Sequence, residues 1–149
     1  MRRTGKADPK LSLRRLGLLG LLVLLTSCGP SVQERMREAR AHWEAGEFRR
    51  AAAVYDAIVE KNPRNDLAPE ALYLSASLHA YYLNSPVTGA ERFVRFLDRY
   101  PSSPKTDTAR LRLGALYMGP LHNPESAVSV YRDLAESSAS DAVRQEGQF

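Results

Sequence analysis

The sequence predicts an all-α chain of helical hairpins repeated along its length, on three observations. Residues of one kind recur at a step of 38: Ala51, Gly89 and Ala127 are small, and Tyr55, Phe93 and Tyr131 are aromatic. Pro63 and Pro101 keep that step, as do Ala39, Ser77 and Ala115, and Ala71 and Ala109. A fixed period of this size marks stacked supersecondary units rather than one irregular globule. Helix start and stop signals also fall at regular points within the period. No stretch carries the period-two alternation of a strand.

The elements follow in order. A first helix is predicted over 31–46, where SVQE places Ser31 and Glu34 for a capping box and Gly46 suits the left-handed turn after a helix. The second, 47–61, stops before Asn62-Pro63, because the residue before proline avoids helical geometry. The third runs over about 67–83, with Pro69 tolerated in its first turn. The fourth covers about 86–100 and offers TGAE, Thr88 to Glu91, as a second capping box. A fifth, about 104–118, stops at Gly119-Pro120. The sixth opens at Asn123-Pro124, an N-cap with proline at the first helical position, and runs to about 136. A short seventh, about 141–145, is expected to cap the exposed end.

The second helix of each unit carries a small residue and an aromatic four later, and in the first two units a closing proline. The small-to-small step between the two helices of a unit is 12 (Ala39 to Ala51, Ser77 to Gly89, Ala115 to Ala127). These features resemble the tetratricopeptide repeat, which implies hairpin units at about 31–63, 69–101 and 107–139 stacked as a short right-handed solenoid. The step of 38 exceeds the family's usual ~34, and the extra residues lie between units, in PRNDLAPEA and PSSPKTDTA. The first helix also departs, with Arg35, Glu38 and His42 where the family prefers bulky or apolar groups.

The chain before Ser31 has a different character. Basic residues number 21 and acidic 17, but the first fifteen residues hold six of the former and one of the latter, leaving 15 against 16. The basic excess therefore belongs to the start of the chain, and a nucleic-acid role loses its electrostatic support. A positive segment ending at Arg14-Arg15 leads into ten apolar residues, 16–25, and then Thr26-Ser27-Cys28. Ten residues are too few to span a hydrocarbon layer, which needs about 20 in helical form. The pattern is that of a secretory leader, expected over 1–27.

Its end, LTSC, resembles the lipobox of bacterial lipoproteins. That likeness implies cleavage between Ser27 and Cys28, diacylglycerol on the Cys28 sulfur and an acyl chain such as palmitate on its new amino group. Two or more chains anchor stably, since each buried methylene contributes about 0.8 kcal/mol. Residues 28–30 then form a lipidated tether on the order of 10 Å long, and 31–149 the helical domain. Gly29, where aspartate would signal inner-membrane retention, favours the outer membrane. With its one cysteine lipidated, the domain is expected to have no disulfide.

No constellation for catalysis stands out. His42, His79 and His122 are not grouped with a second ligand type, and no nucleophile elbow, P-loop or dinucleotide fingerprint is present. Paired carboxylates at Glu34 and Glu38, and at Asp56 and Glu60, and a basic stripe at Arg92, Arg95 and Arg99, are expected to be solvated helix faces. The expectation is a binding protein rather than an enzyme, with no metal and no cofactor beyond the covalent lipid. In repeats of this kind the first helix of each unit lines the concave surface, which by the small-residue register comprises Met36, Arg40 and Trp43 with Leu74, Leu78, Tyr81 and Tyr82. Tyr81 and Tyr82 point about 100° apart on a helix, so one of the two is expected exposed.

The stretch FLDRYPSSPKTDTARLRLGALY resembles the repeats of the BamD-like and YbgF-like envelope proteins, in which a helix ends in an aromatic-proline pair and a serine-rich link leads to an alanine-bearing helix. With the lipobox, the likeness implies a lipid-anchored interaction protein at the periplasmic face of the outer membrane, with barrel-assembly components or a client peptide as partner. The alternative it leaves open is a structural scaffold or accessory lipoprotein of another envelope machine, such as the Tol-Pal system or a secretion complex. Three units stand here, against about five in BamD-like chains.

Overall fold

The computed structural model describes the backbone over residues 29–146 and side chains as far as residue 137. The expected leader, Ser27 and Cys28 lie outside the described residues, as do the side chains of the expected C-terminal cap. Six helices and no strand make up the described residues: α1 Val32–Glu44, α2 Phe48–Lys61, α3 Ala68–Tyr81, α4 Pro86–Arg99, α5 Thr106–Met118 and α6 Pro124–Glu146. Each packs chiefly on its neighbours in sequence, α1 on α2, α2 on α3, and so to α6. The protein is all-α and built of helical hairpins. Among the described residues no helix is long and apolar enough to cross a membrane.

The start of α1 forms the predicted capping box. The Glu34 N–H donates to Ser31 Oγ at 3.2 Å and the Ser31 N–H donates to Glu34 Oε2 at 2.7 Å, satisfying two donors that a helix end leaves free. The hydrogen bond from the Ser31 backbone holds the Glu34 carboxyl below its ordinary value. At the other end Gly46 takes φ +75, which a side chain would disfavour, and lets the chain turn back into α2. Asn62 ends α2 ahead of Pro63, Pro69 lies in the first turn of α3, and Pro86 opens α4. At α6, Asn123 Oδ1 accepts from the Ser126 N–H at 3.0 Å.

Two expectations are corrected. Thr88 and Glu91 form no capping box, because Pro86 has already begun α4 and Thr88 lies inside it. No separate seventh helix exists at 141–145: α6 continues unbroken to Glu146, since SSASDA contains no glycine or proline to stop it.

The inter-unit linkers repeat as faithfully as the helices. Asn65 N–H donates to the Asn62 carbonyl and Ala68 N–H to that of Asn65; 38 residues on, Ser103 donates to Tyr100 and Thr106 to Ser103, all at 2.9–3.0 Å. The two linkers are joined by the Tyr100 hydroxyl, which donates to the Pro63 carbonyl at 2.9 Å. The residues beyond the usual repeat length are thus a built turn. Between the helices, Tyr55, Ile58, Leu72, Leu78, Phe93, Phe96 and Leu113 are enclosed. Tyr73 meets Phe93 and Phe96 edge-on at centroid distances of 5.7 and 5.9 Å, a favourable aromatic geometry.

Candidate functional site

The first helix of each unit contributes to one cleft of about 290 Å³, lined by Trp43 from α1, Tyr73, Leu74, Ser77 and Tyr81 from α3, Tyr82 at the α3 C-cap, and Arg112 from α5. Four residues of the predicted face are brought together here: Trp43, Leu74, Tyr81 and Tyr82. Three are not. Met36 and Leu78 are buried in the core, and Arg40 instead donates to Glu70 Oε1 at 3.0 Å. The reason is a rotation of the open face. At 100° per residue, Ser77 and Tyr81 lie within about 60° of Leu74 on one side of α3, whereas Leu78 lies about 40° to the other side, toward the core.

Tyr81 and Tyr82 are each about half exposed, so the expectation of a single exposed tyrosine is corrected. The 100° argument fails because regular helix ends at Tyr81, and Tyr82 takes φ −118, ψ −23. Its ring rests on Trp43 edge-on at 5.5 Å and on Phe48 at 4.7 Å.

Sequence reasoning missed Tyr73, Ser77 and Arg112 on this face. Arg112 stands 38 residues after Leu74, so extending the register one period further would have found it. Its guanidinium carbon lies 5.5 Å from the centroid of Tyr73 and 5.4 Å from that of Tyr81, within cation–π range of both rings. Lys105 Nζ lies 5.0 Å from the Tyr73 centroid. Ser77 Oγ is already committed, donating to the Tyr73 carbonyl at 3.0 Å. The cleft lining therefore combines aromatic and aliphatic walls with one cation and no carboxylate.

The charged faces elsewhere pair with one another. Arg92 donates from Nε and Nη2 to the two oxygens of Asp56 at 3.1 and 2.6 Å, while Ser75 Oγ donates to Asp56 Oδ1 at 2.6 Å. Arg95 meets Glu60 at 2.5 Å. The expectation of purely solvated stripes is corrected: the acidic face of α2 and the basic face of α4 clamp the first unit to the second. Burial alone would raise the Asp56 carboxyl, but the bonds from Arg92 and Ser75 outweigh it and hold it below its ordinary value. Burial, then the Arg92 charge, keeps the nearby His79 imidazole below its ordinary value. Among the described residues no group of three or more histidine, cysteine or carboxylate side chains is placed to hold a metal.

A larger hollow, about 530 Å³, lies along the linkers between Asp66, Arg99, Tyr100 and Lys105. Size does not decide here. Half of its lining is proline and serine, its cations Arg99 and Lys105 share it with the carboxylates of Asp66 and Glu70, and it offers one ring, Tyr100, where the smaller cleft gathers four. No protein-family model matches the chain, and no curated protein matches it.

Proposed function

We propose that the protein is a lipid-anchored interaction protein of the bacterial envelope, with no catalytic role, that docks a partner or client segment in the cleft between its first-in-unit helices. The observation that carries this reading is the cleft itself: Trp43, Tyr81 and Tyr82 gather from two units at one open site, where rings give large contact area at small entropic cost. The lipobox reading of Cys28 places the protein at the periplasmic face of the outer membrane, and the BamD-like repeats make the barrel-assembly machinery the first partner to seek. The test is photocrosslinking in intact cells from a probe placed at Tyr82, followed by purification of the lipidated protein. A single adduct lost on Trp43→Ala, in a variant that keeps its helical circular dichroism, is expected. Cys28→Ser is expected to abolish palmitate labelling and release the protein from the membrane fraction. An adduct pattern indifferent to Trp43→Ala overturns the cleft reading.

A second reading, an envelope scaffold that works by assembly, is favoured by one observation. Leu111, Met118, Val128 and Tyr131 leave an apolar face open on the last unit. It predicts co-purification with Tol-Pal or secretion components that is insensitive to Trp43→Ala and lost on Leu111→Lys.

A further inference from the structure

We infer that Arg112 is the specificity element of the cleft and receives an acidic side chain, aspartate or glutamate, of the docked peptide; this rests on the cleft reading proposed above. Two arginines of the same chain make the case by contrast. Arg92 offers Nε and a terminal amino group side-on to Asp56, so that both carboxylate oxygens are held in the plane of the guanidinium. Arg112 has no carboxylate partner among the described residues, and its Nε–H is enclosed without any acceptor. That enclosed donor faces the protein, so what Arg112 offers a ligand in the cleft is its terminal amino groups, which no acceptor of the described residues occupies. Here Tyr73 and Tyr81 lie close on the guanidinium, which limits its freedom and favours recognition at its edge. Lys105, beside Tyr73, adds a second positive charge that is likewise unpaired among the described residues. Because that Nε–H is enclosed, a carboxylate entering the cleft would be received on the terminal amino groups of Arg112 rather than side-on as Asp56 is by Arg92.

The source of that carboxylate is a side chain rather than a chain terminus. Terminal carboxylates are commonly held in nests of free backbone N–H groups. Trp43, Tyr73, Leu74, Ser77, Tyr81 and Arg112 all stand within helices, whose interior N–H groups are consumed by the helices themselves, and the Ser77 hydroxyl is committed. One guanidinium edge matches one acidic side chain, and the aromatic walls suit apolar residues flanking it.

The experiment retains peptides on the immobilised, folded protein and identifies them by mass spectrometry. One pool holds acetylated, amidated decapeptides of Glu, Leu, Phe and Ser; a matched pool replaces Glu by Gln; a third is the Gln pool with free C-terminal carboxylates. Retention of the Glu pool at least tenfold above the amidated Gln pool is expected, with the advantage falling to within twofold in Arg112→Gln. Trp43→Ala is expected to weaken both pools by a similar factor, because it removes wall area rather than charge. The Glu-versus-Gln comparison on the unaltered protein needs no variant, so an Arg112→Gln chain that fails to fold leaves the proposal exposed to refutation. Equal retention of the two amidated pools, with both lost on Trp43→Ala, overturns the acidic specificity and leaves the cleft standing. Preference for the free-acid pool over both amidated pools overturns the side-chain assignment. Retention of no pool by the folded protein overturns the cleft reading and this inference with it.

Discussion

At matched positions of the second and third units, Phe93 is fully buried while Tyr131 is 36% exposed, and Ala90 is 4% exposed while Val128 is 54%. Tyr73 and Leu111 differ in the same way, and so do Ser77 and Ala115. The residues are chemically alike and share the 38-residue register, so neither size nor hydropathy explains the difference. What differs is the neighbour: α5 packs over the second unit, whereas among the described residues nothing packs over the far side of the third. A periodic aromatic is thus an instruction to stack, and whether it becomes core depends on the presence of another unit. In repeat arrays stability divides into contributions within units and between adjacent ones, and among the described residues the third unit holds one interface of the second kind.

The comparison is broken most directly at its aromatic pair. Phe93→Ala deletes an enclosed ring that packs on Tyr73, and the cost is expected at about 3–5 kcal/mol, transfer and cavity terms together. Tyr131→Ala, on the open face, is expected to cost about 1 kcal/mol. Denaturant midpoints of the two variants read the difference. Equal losses would mean that the third unit is covered as fully as the second, and the account of the open face would fall.

The glycines sharpen the same contrast at smaller magnitude. A Cβ at Gly89 would stand 2.7–2.8 Å from the Ala80 backbone and Cβ, atoms that cannot give way without separating α3 from α4. The three atoms nearest a Cβ at Gly114 all belong to the ring of Tyr131, a partly exposed side chain that can swing toward solvent. Overpacking typically costs about 1–3 kcal/mol, and alanine returns up to about 1 kcal/mol of helix propensity. Gly89→Ala is therefore expected to lower stability by about 1–2 kcal/mol, and Gly114→Ala to leave it near neutral. Thermal melts followed by circular dichroism would separate the two. Equal destabilisation would place Tyr131 under a constraint that its exposure denies.

Local signals were legible wherever one residue type satisfies one backbone need. Ser31 with Glu34, Gly46, Asn62-Pro63 and Asn123-Pro124 each set a boundary within a residue or two. The hairpin pattern was legible because the 38-residue step survives in both helices and linkers. The face of α3 was harder. Small-residue register fixes which side of a helix meets its partner, but the depth of a given residue depends on how its neighbours crowd it, and Leu78 fell on the buried side by a fraction of a turn. Arg112 was legible in principle and overlooked because the register was extended over two units rather than three. The pairing of Asp56 with Arg92 and of Glu60 with Arg95 was not legible. Each pair spans 35 or 36 residues, and the angle between units brings the stripes together.

Those ion pairs give the smallest effect and a second way to contrast the junctions. Moving Asp56 and Arg92 forward by 38 residues gives Val94 and Val130, so the clamp that joins the first unit to the second is not repeated between the second and third. The first junction should therefore be the one that responds to pH and salt. Asp56→Asn is expected to cost about 1–2 kcal/mol near neutral pH, between the values for exposed and enclosed pairs, because Asp56 and Arg92 are each mostly covered. The Asp56 carboxyl is held below its ordinary value in the folded protein, so its contribution is complete above an unfolded-state pKa of about 3.9 and is lost as pH falls through the lower folded value. The gap between the wild-type protein and Asp56→Asn should accordingly close below about pH 4. Glu60→Gln is expected to cost no more than about 0.5 kcal/mol, since Glu60 is mostly and Arg95 partly open to water, and the effect should shrink as salt is raised. If Glu60→Gln instead costs as much as Asp56→Asn and resists salt, the two pairs act as one enclosed network, and the first junction owes its strength to that network rather than to the single buttressed pair.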